Sequence, residues 1–378
     1  NRFQPPVPRG RPHLATWAGD DSVRRRMETG GDFVPRRILF TGGAGFIGSN
    51  VLIFLVSKYP EVTFVCLDNL SEGSNLANLQ SLSDAPNFVF VKGDVMCEKT
   101  VRETLVSHQL DTVMHFAAQT HVDRSFVVPL KFSEVNVLGT AVLLQASLEL
   151  GVRRFLHVST DEVYGENVGP GSARFAEMDP FRPGNPYSGS KAAAECVVRG
   201  YMESFGRQLP ILVVRPNNIY GPRQFPEKLI PKFIYRLQRK QELPLHGGGK
   251  ARRSFLFVED AAEAFDLVLR KGKPGEAYNI GAEPGSTKSV LEVAKALMPY
   301  FDIDVQRDAE KHLKVVADRV KNDASYDVHS WKIRNLGWKP TVNFQDGLRR
   351  TVEWYRQNPD HWTSVEEALL PDNGGMKR

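Results

Sequence analysis

The segment RRILFTG, ending in Gly42, runs directly into glycines at 45 and 48, and the helical pattern SNVLIFLVSKYP follows at once. A strand, a glycine turn and a helix in that order leave a chain few options. The helix must cross back so that the next strand lies parallel to the first. Each glycine has its own physical job: a tight turn, close approach of backbone to a pyrophosphate, and close packing of helix on strand. The pattern then repeats. Apolar runs TFVCLD, NFVFVKGD, DTVMHFAA, RFLHVSTDEVYG and PILVVRP alternate with helical stretches such as VRETLVSH and GTAVLLQASLELG. Six strands by about residue 216 predict an α/β architecture, a doubly wound parallel sheet of Rossmann type.

Beyond that point the pattern loosens. Short strand-like runs (RSFLFVED, EAYNIG) mix with helices (IPKFIYRLQRK, SVLEVAKALMPYF, DGLRRTVEWYRQ), which predicts a smaller α/β lobe over the carboxyl edge of the sheet. The expected divisions are a basic tail at 1–36, a dinucleotide-binding domain at 37–215, a mainly substrate-binding lobe interleaved with the sheet at 216–362, and a C-terminal tail at 363–378.

Charge narrows the partners. The net charge is +5, but residues 1–37 hold eight arginines and four acids, so +4 of it belongs to that segment. The remainder is too nearly neutral to track nucleic-acid phosphates. The tail is rich in Pro, Gly and Arg without apolar periodicity and reads as disordered. Met27 is a candidate natural start. A transit-peptide reading is weakened by only three Ser or Thr in residues 1–37 and by the lack of an amphipathic pattern. No stretch approaches the roughly 18–20 apolar residues that span a bilayer. Cys66, Cys97 and Cys196 are odd in number and unpaired in spacing, which fits a reducing, cytoplasmic setting.

Asp68 ends the second strand, twenty residues after Gly48. An acid there accepts from the adenosine ribose hydroxyls and repels a 2′-phosphate, favouring NAD over NADP. Asp94, ending the third strand, is placed for the adenine amine or for a loop cap. Tyr187 and Lys191 form YxxxK within PYSGSKAAAE, a segment that reads as helical after Pro186. Four-residue spacing puts both on one helix face, where an ammonium is expected to lower the phenol's pKa and make it a usable base. Ser159-Thr160-Asp161-Glu162 closes a strand some twenty-five residues earlier, at the edge where ligands of this fold bind.

With these motifs in place, TGGAGFIGSN, FAAQTHVDRS, VSTDEVYGE, NPYSGSKAAAE, PNNIYGPRQFPEKLIPKFI, KGKPGEAYNIG and LGWKP resemble the extended short-chain dehydrogenases, specifically the dTDP-/UDP-glucose 4,6-dehydratases. The likeness runs from about Arg37 to Trp362. It is greatest to the animal dehydratases and to the dehydratase portion of plant rhamnose synthases. Epimerases of this superfamily generally lack the Asp-Glu pair.

The resemblance implies a redox-neutral elimination. Tyr187 takes the proton of the sugar's C4 hydroxyl, Thr160 aligns that oxygen, Glu162 removes the C5 proton and Asp161, kept protonated, releases the C6 hydroxyl as water. Two neighbouring carboxyls with separated pKa values can divide acid and base work in this way. A regular strand would point them to opposite faces, so the strand must end before them. The resemblance assigns Gly42, Gly45, Phe46, Ile47, Gly48, Asp68, Asn69, Asp94, Val95, Ala117, Ala118, Tyr187, Lys191 and Asn217 to the cofactor. It assigns His121, Ser125, Thr160, Asn218, Lys228, Leu229, Arg253, Asn279 and Arg319 to a nucleotide-sugar substrate, with no metal, and it implies a homodimer through a four-helix bundle that includes the Tyr187 helix. Without it, Asn217 and Asn279 read equally as partners for backbone groups, and the arginines as surface residues. The chain departs from the pattern at Asn69 (usually Lys), Val320 (usually Pro) and Ser325 (usually Arg before the Tyr, here Tyr326). Two other functions are compatible with parts of the pattern: a nucleotide-sugar 4-epimerase and a non-catalytic NAD-binding scaffold.

Overall fold

The computed structural model describes residues 32–167, 174–283, 286–317, 327–363 and 365–369. The expected tail at 1–36 and its candidate start at Met27 lie almost wholly outside them.

The six expected strands form: β1 (Arg37–Thr41), β2 (Thr63–Asp68), β3 (Phe88–Lys92), β4 (Thr112–His115), β5 (Arg154–Val158) and β6 (Ile211–Pro216). They pair in parallel, each side by side with its neighbours in the order β3-β2-β1-β4-β5-β6. Strands β5 and β6 are buried along their whole length, as a parallel sheet covered on both faces requires. Alternation sorts the side chains. Ile38 and Phe40 of β1 join one core with the helices Phe46–Lys58 and Val258–Lys271. Leu39 joins the opposite core, beneath Glu98–Ser107, Gly139–Glu149 and Pro186–Phe205.

Two elements of the 216–362 segment belong with the main sheet. EAYNIG, assigned to the lobe, supplies β10 (Ala277–Ile280), which extends the main sheet by pairing in parallel with β6. The helix Val258–Lys271 also packs on the sheet, and its buried Asp266 holds Lys58 at 2.8 Å and the Tyr59 hydroxyl at 3.0 Å. The lobe proper contains β7 (Asn218–Tyr220), β9 (Arg252–Phe257) and β11 (Thr287–Ser289) in one small sheet, and β8 (Leu243–His246) with β12 (Leu313–Val316) in another. Its core gathers Tyr220, Phe233, Tyr235, Phe257 and Leu348. The segment expected as a C-terminal tail carries the short helix Val365–Leu369, whose Val365 and Leu369 are buried in that core. Among the described residues no helix is long and apolar enough to cross a membrane.

Candidate active site

Strand order reverses at β1, with β2 on one side and β4 on the other. At such a switch point the connecting loops part and leave a crevice beyond the strands' carboxyl ends. Here that crevice is a cavity of about 420 Å³, lined from one end by the glycine turn and from the other by residues of the lobe.

The glycine turn is built to let backbones meet. Gly42 has φ +72°, and a Cβ on it would lie 2.5 Å from the Ala117 nitrogen. The helix Phe46–Lys58 starts after Gly45 with no side-chain cap and no acid in its first turn. Gly45, Phe46, Ile47 and Gly48 all face the cavity, so its amide end presents an uncompensated positive dipole. Asp68 accepts from the Ala44 amide at 3.0 Å and the Leu70 amide at 2.8 Å. Burial raises its pKa, and these two bonds oppose the rise. Asn69 donates to Asp94 at 3.0 Å, and Asp94 accepts from the Met96 amide at 2.9 Å. Val95, Ala117 and Ala118 complete this end. An open helix terminus for a diphosphate, an acid at the end of β2 and a close-packed glycine turn fit a dinucleotide.

The catalytic candidates meet at the end of β5. That strand stops at Val158, and Thr160 begins a 3₁₀ turn over Asp161–Tyr164 by accepting from the Glu162 amide at 3.3 Å. The break meets the geometric demand on the acid pair: Thr160, Asp161 and Glu162 all line the same cavity. Asp161 is 3% exposed. It accepts from Asn217 Nδ2 at 2.6 Å and Thr160 Oγ1 at 3.2 Å. Burial, then the negative Glu162, pushes its pKa up to about 7 against the pull of those bonds and of Arg253. Glu162 accepts from Asn185 Nδ2 at 3.4 Å.

Asn185 also caps the helix Pro186–Phe205 in a reciprocal box with Ser188. This fixes Tyr187 in the first turn, hydrogen-bonded to Thr160, with Lys191 one turn on. Burial pushes the Tyr187 phenol up, Glu162 adds to the rise, and the Thr160 bond opposes it. The expected lowering by Lys191 is not what governs this phenol. Lys191 Nζ instead donates to the Val158 carbonyl at 2.7 Å, and burial lowers its pKa to about 8. A phenolate enclosed beside two carboxyls is costly whatever cation stands a turn away.

Residues 39–351 match the family described as GDP-mannose 4,6 dehydratase. The chain belongs to that family. It is similar to the dTDP-D-glucose 4,6-dehydratase of Mus musculus, 46% identical over 89% of this chain and 93% of the relative. It is also similar to a trifunctional UDP-glucose 4,6-dehydratase/UDP-4-keto-6-deoxy-D-glucose 3,5-epimerase/UDP-4-keto-L-rhamnose-reductase of Arabidopsis thaliana, 46% identical over 90% of this chain and 50% of that protein. Among solved structures, the dTDP-glucose 4,6-dehydratase of Streptomyces venezuelae with NAD and TYD bound superposes with a TM-score of 0.81 at 39% identity, covering 87% of this chain and 99% of that one.

In this member of the GDP-mannose 4,6 dehydratase family the remaining expected residues divide. His121, Asn218, Lys228 and Arg253 line the cavity, as does Asn217, which holds Asp161. His121 Nδ1 accepts from the Arg124 amide at 3.2 Å, and its Nε2 meets Glu227 at 2.5 Å. Lys228 donates to the Thr120 carbonyl at 3.1 Å. Three expected substrate contacts do not reach the cavity. Ser125 is fully buried and donates to the Val122 carbonyl at 2.6 Å. Leu229 starts the helix Leu229–Gln238 and packs on the lobe core. Asn279 is fully buried and accepts from the Tyr164 hydroxyl at 2.8 Å. Arg319, Val320, Ser325 and Tyr326 lie outside the described residues.

Residues the sequence reading passed over also shape the site. Asn185 was detectable as an N-cap before Pro186. Glu227 adjoins Lys228 and lines the cavity. Asn136, which bridges the Gln119 backbone and the Ser190 hydroxyl at 2.8–3.0 Å, sits mid-helix and has no local signature.

Proposed function

We propose that this chain is an NAD-dependent nucleotide-sugar 4,6-dehydratase that converts dTDP- or UDP-glucose to its 4-keto-6-deoxy derivative. One observation carries the reading: a buried Asp161, its pKa raised to about 7 by burial and the neighbouring Glu162, lines the same cavity as Glu162, Tyr187 and Lys191. An epimerase or a passive NAD holder has no use for that acid pair.

Bound NAD supplies the hydride acceptance at C4 and its return at C6. The rest falls to side chains. Tyr187, aligned by Thr160, would take the C4 hydroxyl proton as its phenolate, a form that the cationic nicotinamide of bound NAD would favour against the burial and carboxyls that raise the phenol. Lys191 holds the helix against β5. The 4-ketone acidifies the C5 proton, which passes to Glu162. Asp161, neutral until then, gives its proton to the departing C6 hydroxyl. Arg253 is assigned to the substrate diphosphate, where a guanidinium fork suits phosphate oxygens. In this reading 37–215 mainly holds the cofactor and 216–362 mainly the substrate. The working form is a homodimer in a reducing, cytoplasmic setting, in keeping with free Cys66, Cys97 and Cys196.

The test is to incubate purified protein with dTDP-glucose and with UDP-glucose and weigh the product. Loss of one water with either sugar is expected. A C4-inverted hexose of unchanged mass would make the chain an epimerase.

A further inference from the structure

A buried chain of side chains joins the turn carrying the two acids to the helix carrying Tyr187 and Lys191. Arg215, on β6, is fully buried, and so is its partner Glu195 on the helix Pro186–Phe205. Arg215 Nε lies 3.1 and 3.0 Å from the two Glu195 oxygens, and Nη2 donates to one of them as well. Its Nη1 donates to the Tyr164 hydroxyl and, at 2.9 Å, to the Glu177 carbonyl. Tyr164 is the last residue of the 3₁₀ turn that begins at Asp161. Its hydroxyl passes the chain on to Asn279 of β10 at 2.8 Å, while its ring stacks on Phe175 at 5.2 Å.

None of these residues lines the cavity. A buried ion pair is also a poor reason for stability, because well-packed apolar side chains would serve as well. What the network does supply is a fixed distance between three elements. The phenol and the acids depend on it unequally. Tyr187 and Lys191 are already fixed by the Asn185–Ser188 box and by the Val158 carbonyl. The acid turn is four residues long, held at its start by the Thr160 cap and Asn217, in its middle by Asn185 Nδ2 on Glu162 at 3.4 Å and by the Arg182 amide on the Val163 carbonyl at 2.9 Å, and at its far end by Tyr164, whose side chain lies deepest in the buried network.

We propose that Arg215, acting through Tyr164, is a positioning residue for the elimination step: it sets where Asp161 and Glu162 stand relative to the sugar without governing oxidation at C4. This rests on the dehydratase reading. Loosening the turn leaves Tyr187 able to start the reaction and the acids unable to finish it, so the reduced cofactor persists.

The experiment uses the full chain with NAD and whichever sugar nucleotide the unaltered protein dehydrates. Tyr164→Phe removes one oxygen and keeps the ring stack. Expected is a fall in kcat on the order of 10²-fold, the scale of a 1 Å misplacement, with KM little changed. During turnover the near-ultraviolet absorbance of reduced nicotinamide should build up well above that of the unaltered protein. Arg215→Lys, which keeps a cation for Glu195 but loses the reach to Tyr164, should show the same build-up if Tyr164→Phe folds poorly. Unchanged turnover, or absorbance that falls in step with turnover in the variant that folds, overturns the proposal. If the unaltered protein dehydrates neither sugar, it is the dehydratase reading that fails, and the inference falls with it.

Discussion

Asp161→Asn isolates the physical claim on which the chemistry rests, that a carboxyl at this position is held neutral by burial. Its ordinary pKa of 3.8 is pushed up to about 7 in the folded chain. Below pH 4 folded and unfolded chains both hold the proton, and nothing is lost. As the pH rises through 4 the unfolded chain releases it while the folded chain does not. Stability therefore declines until the folded group also titrates, near 7. At about 1.4 kcal/mol per pH unit, the loss reaches about 4 kcal/mol by pH 8. Asparagine has nearly the same shape, can still accept from Asn217, and carries no charge to bury. The variant's stability relative to the unaltered chain should thus rise by about 4 kcal/mol between pH 4 and pH 8. Urea unfolding at the two pH values measures the difference, with intact helix content as the control for folding. The same variant should still oxidise C4 but release no water. A stability difference that does not change with pH would mean that Asp161 is ionised in the folded protein, and its role as proton donor would be lost.

Two further outcomes follow from single atoms. Tyr187→Phe removes the hydroxyl that receives the C4 proton and should lower turnover by about 10²–10⁴-fold, the span of general-base effects. Bound NAD, followed by ultrafiltration, should stay close to normal; unaltered turnover would remove the assignment. Gly42→Ala forces a side chain onto φ +72° and into the Ala117 backbone, 2.5 Å away. It should destabilise the fold by about 1–3 kcal/mol and weaken NAD binding in titration; wild-type values for both would show that the turn relaxes freely.

What could be read from the sequence depended on how local the physics was. Strands β1, β2, β4, β5 and β6 announce themselves because a parallel strand covered on both faces is a nearly unbroken apolar run; β3, partly exposed at the sheet edge, shows through its run of Phe and Val. Strand β10 shows in EAYNIG as a strand-like run, but its place does not: what puts Ala277–Ile280 in the main sheet is β6, more than sixty residues earlier in the chain. Tyr187 and Lys191 stand out by helical spacing, and Asn185 by its place before Pro186. The environment of Tyr187 was misjudged, since spacing shows that Lys191 is near and not that two carboxyls and full burial outweigh it. Ser125 and Asn279 show the reverse error. Both stand beside motif residues, yet Ser125 turns back onto its own helix and Asn279 under the sheet edge, where each satisfies buried polar groups. Arg215 could not have been found from the sequence, because its partners come from a turn, a helix and a loop joined only by the sheet order.

Burial imposes one condition on both halves of the reaction, and it fixes how the site must respond to pH. It raises Asp161 to about 7 and lowers Lys191 to about 8. The acid must be protonated to expel water, whereas Lys191 donates to the Val158 carbonyl and does not govern the Tyr187 phenol. As pH rises through about 7, Asp161 loses the proton that the elimination needs. The alkaline decline of turnover should therefore report the elimination acid, although the oxidation at C4 needs a base and is favoured as pH increases. Above that midpoint the cofactor can still be reduced while water can no longer leave. Reduced nicotinamide should accumulate there in the unaltered protein, and at every pH once Asp161 is replaced. Were the decline instead accompanied by loss of reduced cofactor, Lys191 or Tyr187 would be the group that titrates, and the division of labour between the acid pair and the phenol would have to be redrawn.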